Sequence, residues 1–305
     1  MSVKSSYMPN KNQITERFKH IQDTICNGLE QLDGLAKFHE DKWNREDGGG
    51  GITRILQEGN LIEKGGVNFS AVHGTLPDVI KNAFVVNETN FFATGVSIVL
   101  HPHSPLVPII HMNIRYFELS KQTWWFGGGI DLTPHYVNER KAKEFHVDLK
   151  TICDRHHQDF YSKHKAWADD YFFIKHRNET RGIGGVFFDR LNEQNTPLNK
   201  EQLFNYVCDL GENFVDIYAK QTEFRNQPFS EEQKMWQHLR RGRYVEFNLI
   251  YDKGTKFGLD TSGRIESILM SLPKDASWHY NYQPQPNTEE AKTLSLLKKG
   301  VGWVF

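Results

Sequence analysis

The 305-residue sequence predicts an α+β fold built on an antiparallel sheet. Two observations carry that prediction. Helix-type and strand-type patterns come in blocks, without the strict alternation of a doubly wound parallel sheet. Between Val67 and Leu132 apolar residues recur at every second position, whereas the segments on either side show helical spacing.

Taken in order, residues 1–12 read as a loose tail. Ile14, Phe18, Ile21, Ile25, Leu29 and Leu32 then recur at helical spacing, and Gly34 supplies a stop. The DGGGG run at Asp47–Gly51 breaks the pattern before Ile52. Val67, Phe69, Ala71 and His73 alternate with other residues. Val96, Ile98 and Leu100 share one face of a strand, and Ile110, Met112, Ile114 and Tyr116 share one face of the next. The segment from Pro102 to Pro108 connects them. Residues 140–174 read as helix, with His146, Leu149, Ile152, Cys153 and His156 on one side. Phe187 and Phe188 lie in a short apolar run after a glycine-rich break. Asn199 with Gln202, and Ser230 with Gln233, match capping boxes at two further helix starts. Strands are expected again at Tyr244–Tyr251 and Arg264–Met270, and a last helix at Thr288–Lys299. No repeat, low-complexity tract or linker interrupts the chain, so residues 1–305 are expected to form one domain.

Composition bounds the function. At 38% hydrophobic and 25% charged residues the chain has the balance of a soluble globular protein, and 21 Phe, 11 Tyr and 7 Trp can build a large core. A net charge of -1 argues against a nucleic-acid binder that relies on a global basic field, so an anionic ligand would need local arginines. Met1–Asn12 has no apolar stretch of the secretory kind, and no apolar run reaches the roughly 18 residues of a membrane span. Cys26, Cys153 and Cys208 are odd in number, far apart and form no CxxC, which disfavours disulfides and thiolate zinc. Free thiols in a reducing cytoplasm are expected.

The polar faces of two strands are the most informative pattern. Ser97 and His101 project to one side of the first, and His111, Asn113 and Arg115 to one side of the second. A solvated face usually carries Lys, Glu and Thr. His, Asn and Arg in line suit a lining that recognises a polar, anionic molecule. An ordinary exposed face is the alternative. In WWFGGGIDLTP, Trp124–Pro134, three glycines allow close backbone approach, and Asp131 follows among large aromatics. A carboxylate there is poorly solvated unless something donates to it; a tight turn capped by Asp131 is the alternative.

Other motifs are weaker. RGIGG at Arg181–Gly185 and the glycine run at Gly48 lack the GK[ST] of a P-loop and do not match GxGxxG. His146-Val147-Asp148 has the HxD spacing of an iron facial triad, with His176 or His238 as a third ligand. Its segment reads as helix, where positions i and i+2 diverge.

Read together, GGGGITRIL, GVNFSAVHG, HMNIRYFE, WWFGGGIDLTPHY, DDYFFIKHRNETRGIGGVFFD, GRYVEFNLIYDKGTKFGL and RIESILMSLP span residues 48–273. In that order they resemble the aerobic coproporphyrinogen III oxidase family. The resemblance implies one large antiparallel sheet flanked by helices on both faces, in a homodimer with contacts between Tyr244 and His279. It implies coproporphyrinogen III as substrate, dioxygen as co-substrate, and no flavin, haem or nicotinamide. Two of the four propionates become vinyl groups, giving protoporphyrinogen IX.

By position, the resemblance assigns substrate contacts to Ser97, to Asn113, Ile114 and Arg115, and to Ser262, Gly263 and Arg264. It assigns His111 as proton donor and Asp131 as the acid that holds the pyrrole N–H groups. His101, His111, His146 and His176 match a set that bacterial members are described as using for a divalent metal. These residue types suit the chemistry. Asp131 would act as base, while Arg115 and Arg264 hold propionates bidentately. Two rivals remain. A tetrapyrrole-binding protein without chemistry would not need His111 and Asp131 in this pattern. An iron-dependent dioxygenase would need a two-histidine, one-carboxylate set, for which the HxD is the candidate.

Overall fold

A computed structural model describes residues 8–76, 89–260 and 263–304. Its elements run α1 (Lys11–Asp33), β1 (His39–Asn44), β2 (Gly49–Gln57), β3 (Ile62–Thr75), β4 (Asn90–Pro102), β5 (Ile109–Glu118) and β6 (Trp124–Thr133). They continue with α2 (Glu139–His156), α3 (Phe160–Tyr171), β7 (Phe173–Ile174), β8 (Glu179–Thr180), β9 (Gly185–Leu191), α4 (Lys200–Glu212) and α5 (Phe214–Gln221). The chain ends with α6 (Glu231–Ile250), α7 (Lys253–Asp260), α8 (Ile265–Leu269) and α9 (Glu289–Leu296). Among the described residues, seven strands form one sheet in the order β1-β2-β3-β4-β5-β6-β9, every neighbour antiparallel.

Local signals explain most boundaries. Asn10 accepts from the Asn12 and Gln13 N–H groups, and Gln13 Oε1 returns to the Asn10 N–H at 3.0 Å, closing a capping box on α1. Lys11 and Asn12 therefore belong to the helix and not to the expected tail; residues 1–7 lie outside the described residues. Gly34 ends α1 at φ 79°, a left-handed conformation that costs glycine little. The boxes at Asn199 and Ser230 open α4 and α6 as expected.

Three segments depart from the sequence expectation. Gly49–Gly51 do not break the chain but open β2. A side-chain carbon at Gly51 would sit 2.4 Å from the Phe69 carbonyl oxygen and from the Trp43 ring, so close strand approach requires glycine there. Residues 140–174 are two helices, because His157 is extended at φ -160° and ψ 131°; Phe173 and Ile174 then leave the helix to pair with β8. Tyr244–Tyr251 and Arg264–Met270 are helical, not strands. Tyr244, Phe247 and Asn248 are buried at i, i+3 and i+4 along α6, a spacing that mimics alternation over a short window.

Alternation places the core. Val96, Ile98, Ile110, Met112 and Ile114 are 0% exposed on one face, under α1, α2, α4 and α5. The opposite face meets α6 through Tyr244 and Phe247. Helices thus flank both faces, and the polar strand residues look toward α6.

The loop after α1 is held by a buried carboxylate. Asp33 accepts from the N–H groups of Leu35, Ala36, Asn60, Leu61 and Ile62 at 2.9–3.3 Å. Burial alone would raise its pKa, but donors from Ile62, Ala36, Leu61 and Asn60 outweigh that and hold it below the ordinary value. Asp33→Ala is expected to lose about 3 kcal/mol of stability in urea denaturation at neutral pH. A depressed folded pKa stabilises fully above the unfolded value of about 3.9 and is lost as pH falls through the folded one. The gap to wild type should close in that acid window. An unchanged urea midpoint at pH 7 would contradict this role.

Candidate active site

The sheet face under α6 forms the floor of a cleft of about 240 Å³. Register assembles that floor. Ser97 of β4 pairs with Asn113 of β5, His111 pairs with Asp131 of β6, and Arg115 pairs with Gly127. A side-chain carbon at Gly127 would lie 2.6 Å from Arg115 Nε, so glycine leaves the arginine room above β6. Ser97, His111, Asn113 and Arg115 all line the cleft. Tyr244 and Asn248 of α6, and Ser267 and Ile268 of α8, close it from the helical side.

Arg115 donates to Asn113 Oδ1 and to Asp189 Oδ1, each at 2.9 Å. The Arg115 and Asp189 side chains are 36% and 35% exposed. An ion pair that open is weak, so an incoming carboxylate can compete for the guanidinium.

Two lining residues, His111 and Arg181, meet a carboxylate buried behind the floor. Asp131, 1% exposed, receives two hydrogen bonds of 2.8 Å from Arg181 Nη2, one to each carboxylate oxygen. His111 Nδ1 lies 2.7 Å from Asp131 Oδ1. A carboxylate at that distance assigns the proton to Nδ1 and leaves Nε2 as the ring's second acid–base position. Burial would raise the Asp131 pKa, but the Arg181 charge, then the His111 hydrogen bond, hold it below the ordinary carboxylate range. Asp131 therefore stays ionised beneath the floor and does not line the cleft.

Arg181 is the residue that sequence reading missed. It is 2% exposed, donates from Nη1 to Asn248 Oδ1 at 2.8 Å, and lies 4.4, 4.6 and 4.7 Å from the ring centroids of Phe172, Tyr244 and Phe247. Aromatic faces and one carboxylate make a buried guanidinium tolerable. A signal existed: Asp131 among aromatics needed a donor, and Arg181 is that donor.

Other expected site residues lie elsewhere. Ile114 points away from the cleft into the core at 0% exposure, leaving only its backbone for a ligand. Ser262 lies outside the described residues. Gly263 and Arg264 follow it. Arg264 pairs with Asp41 of β1 and does not line the cleft, although α8, which begins at the next residue, does.

The four histidines do not meet at one centre. His101 is 0% exposed, bonded from Nε2 to the Ser271 carbonyl at 2.9 Å, and held neutral by burial. His146 is bonded on both nitrogens, to the Tyr161 hydroxyl and the Ile183 carbonyl, each at 3.0 Å; burial lowers its pKa to about 3. His176 is bonded to Glu246 at 2.6 Å and to the Tyr251 hydroxyl at 2.8 Å. Among the described residues, no group of three or more His, Cys, Asp or Glu is placed to hold a metal ion. In the HxD motif, Asp148 turns away to pair with Lys220, the divergence expected of a helix.

Comparison with known proteins is consistent with this geometry. The family model described as coproporphyrinogen III oxidase matches residues 13–303. The chain is 47% identical over 302 residues to the oxygen-dependent coproporphyrinogen-III oxidase of Glycine max, covering 94% of this chain and 77% of that protein. It is 47% identical over 299 residues to the Drosophila melanogaster protein of that name, covering 93% and 76%. The mitochondrial Homo sapiens protein is 48% identical over 298 residues, covering 93% and 65%. A match along nearly the whole chain, with the cleft residues inside it, places the chain in the coproporphyrinogen III oxidase family.

Proposed function

We propose that this protein carries out the oxygen-dependent oxidative decarboxylation of coproporphyrinogen III. Two propionates become vinyl groups, and the product is protoporphyrinogen IX, a step of haem synthesis. The observation that carries the reading is the cleft, where Arg115 and His111 stand on one strand face, Arg181 lines the wall beside them and Asp131 lies behind. Each propionate gives up carbon dioxide, one proton and two electrons, with dioxygen as acceptor. The reduced macrocycle is electron-rich enough to react with oxygen itself, so the reading needs no flavin, haem or nicotinamide.

The residues divide the work. Arg115 exchanges Asp189 for a substrate carboxylate and sets which propionate reacts. Ser97 and Asn113 offer hydrogen bonds beside it. His111 moves a proton through Nε2, while Asp131 fixes its tautomer and orientation. Arg264, with Ser262 and Gly263, contacts substrate once Asp41 is displaced. A divalent metal on His101, His111, His146 and His176 does not fit the geometry, because His146 and His176 are committed to other partners, so no step is routed through one.

Anaerobic purified protein given coproporphyrinogen III and then air should release decarboxylated product. Arg115→Ala should raise KM about 10- to 100-fold, the worth of a charged hydrogen-bonded pair. Substrate that binds under air but stays intact would instead favour a tetrapyrrole-binding protein without chemistry.

The reading extends to the assembly. Leu249, Ile250, Leu259, Ile265 and Trp278 are 42–59% exposed, a concentration of apolar surface within residues 244–279 that supports a homodimer there. Sedimentation as a monomer would contradict it. No described helix is long and apolar enough to cross a membrane. Cys26, Cys153 and Cys208 are buried free thiols, each pushed up to about 12 by burial, which supports a reducing, cytoplasmic setting. One hydrophobic cluster draws on residues from Ile14 to Trp303, which supports a single domain.

A further inference from the structure

Arg115 must change partners for the reading above to work, and the fold builds the second partner in. Its Nη1 donates to Asn113 Oδ1 and its Nη2 to Asp189 Oδ1, each at 2.9 Å. Asp189 lies on β9, two strands away, where the sheet is irregular. Phe126 pairs with Leu191 and Gly128 with Phe188, so Asp189 and Arg190 of β9 together face Gly127 of β6. A bulge of this kind re-aims side chains and is common beside active sites. Arg190 adopts φ 55° there, a left-handed conformation uncommon for a residue with a side chain. Gly127 completes the niche: a side-chain carbon on it would lie 2.6 Å from Arg115 Nε and 2.8 Å from Asp189 Oδ1. Arg115 lines the cleft, whereas Asp189 does not. The guanidinium therefore stands between the ligand's space and a fixed carboxylate, with Nη1 held by Asn113.

A carboxylate that must depart as carbon dioxide is held back by an arginine. In the reaction proposed above, the bond to the carboxyl carbon breaks and its electron pair enters the vinyl double bond. The neighbouring carbon gives up a proton and two electrons. Dioxygen takes them and, with one more proton from water, becomes hydrogen peroxide. The departing carbon dioxide is neutral, so the ion pair with Arg115 is strong in the bound substrate and fades in the transition state. An interaction of that kind raises the barrier. We propose that Asp189 is a positioning residue that takes Arg115 Nη2 back as the carboxylate loses its charge, which offsets the broken ion pair. The inference rests on that reaction and commits Arg115 to the propionate that reacts.

A strut competes, because Asp189 also fixes the guanidinium in place. The two roles differ in sign. Without a strut the substrate binds more weakly; without a competing partner it binds more tightly. With coproporphyrinogen III under air, Asp189→Asn should lower KM and kcat together, each by about 2- to 5-fold, the worth of an exposed ion pair. The ratio kcat/KM should stay close to wild type, because free enzyme and transition state lose the same pair. The dissociation constant for coproporphyrinogen III measured without oxygen should fall along with KM. Asp189→Glu keeps the charge and should return both constants toward wild type. Asp189→Gln set against Asp189→Glu changes charge at constant shape, and serves in place of Asp189→Asn should that protein fail to fold. A raised KM in Asp189→Asn overturns the proposal and leaves Asp189 a strut. Wild-type kcat and KM in that variant overturn it as well. A wild type that yields no product overturns the reaction itself, a result distinct from either.

Discussion

Arg181→Leu is expected to cost about 3–5 kcal/mol of unfolding free energy, because it strands a buried carboxylate. Asp131 has no solvent to fall back on at 1% exposure, and Arg181 supplies a hydrogen bond to each of its oxygens. The leucine would still pack against Phe172, Tyr244 and Phe247, so the loss should be electrostatic rather than a cavity. The double variant Arg181→Leu with Asp131→Leu removes both charges and should recover much of the stability, since an apolar pair in place of a buried ion pair is often neutral. It should recover no activity, because His111 loses its anchor. Guanidinium denaturation of the three proteins checks this, and a double variant as unstable as the single one would contradict it.

The pH dependence of that variant has a definite sign. In the wild type the folded pKa of Asp131 is depressed, so its stabilisation is complete above the unfolded value of about 3.9 and disappears as pH falls through the folded value. Without Arg181, burial acts with only His111 against it, and the folded pKa should rise above the unfolded one. The variant is then penalised at neutral pH and relieved on acidification. Its deficit against wild type should shrink as pH is lowered from 7.

His111→Ala should lower kcat about 10²- to 10⁴-fold while leaving KM within a few-fold. The ring stands on the cleft floor and is fixed at Nδ1 by Asp131, so removing it deletes a positioned proton carrier and no described anion anchor. The fold should survive, because Asp131 keeps both Arg181 hydrogen bonds. Steady-state kinetics with a melting curve checks both halves. Retained kcat would remove His111 from the chemistry. An unstable variant would mean that the triad, not the ring alone, had been broken.

The legible part of the site was the part with a period of two. His111, Asn113 and Arg115 share a face because β-strand side chains alternate, whatever the rest of the chain does. Pairing their strand with β4 and β6 then brings in Ser97 and Asp131 at matching register. The same rule should have removed Ile114, which falls on the core face. Arg181 carries no such mark. Arg181 sat in a glycine-rich stretch legible only as a weak phosphate loop. Tyr244 and Asn248 sat in a segment read as a strand, and its helical geometry is what turns both toward the cleft.

The helices show the same division. Asn10, Asn199 and Ser230 declare their helix starts because a cap acts within three residues. The edge strand β1, with the sequence HEDKWN, declared nothing; it exists because β2 offers it hydrogen bonds.

Local chemistry by itself thus determined the α+β class, the helix starts and the polar face of β5, since alternation, capping and glycine conformation act over a few neighbours. Tertiary structure decided which charges meet. Asp131 and Arg181 are 50 residues apart in the sequence and meet only in the folded chain. Burial and pairing belong to the folded arrangement, so only the packed sheet and helices could make Asp131 an inaccessible anchor while His111 and Arg115 stay open to the cleft.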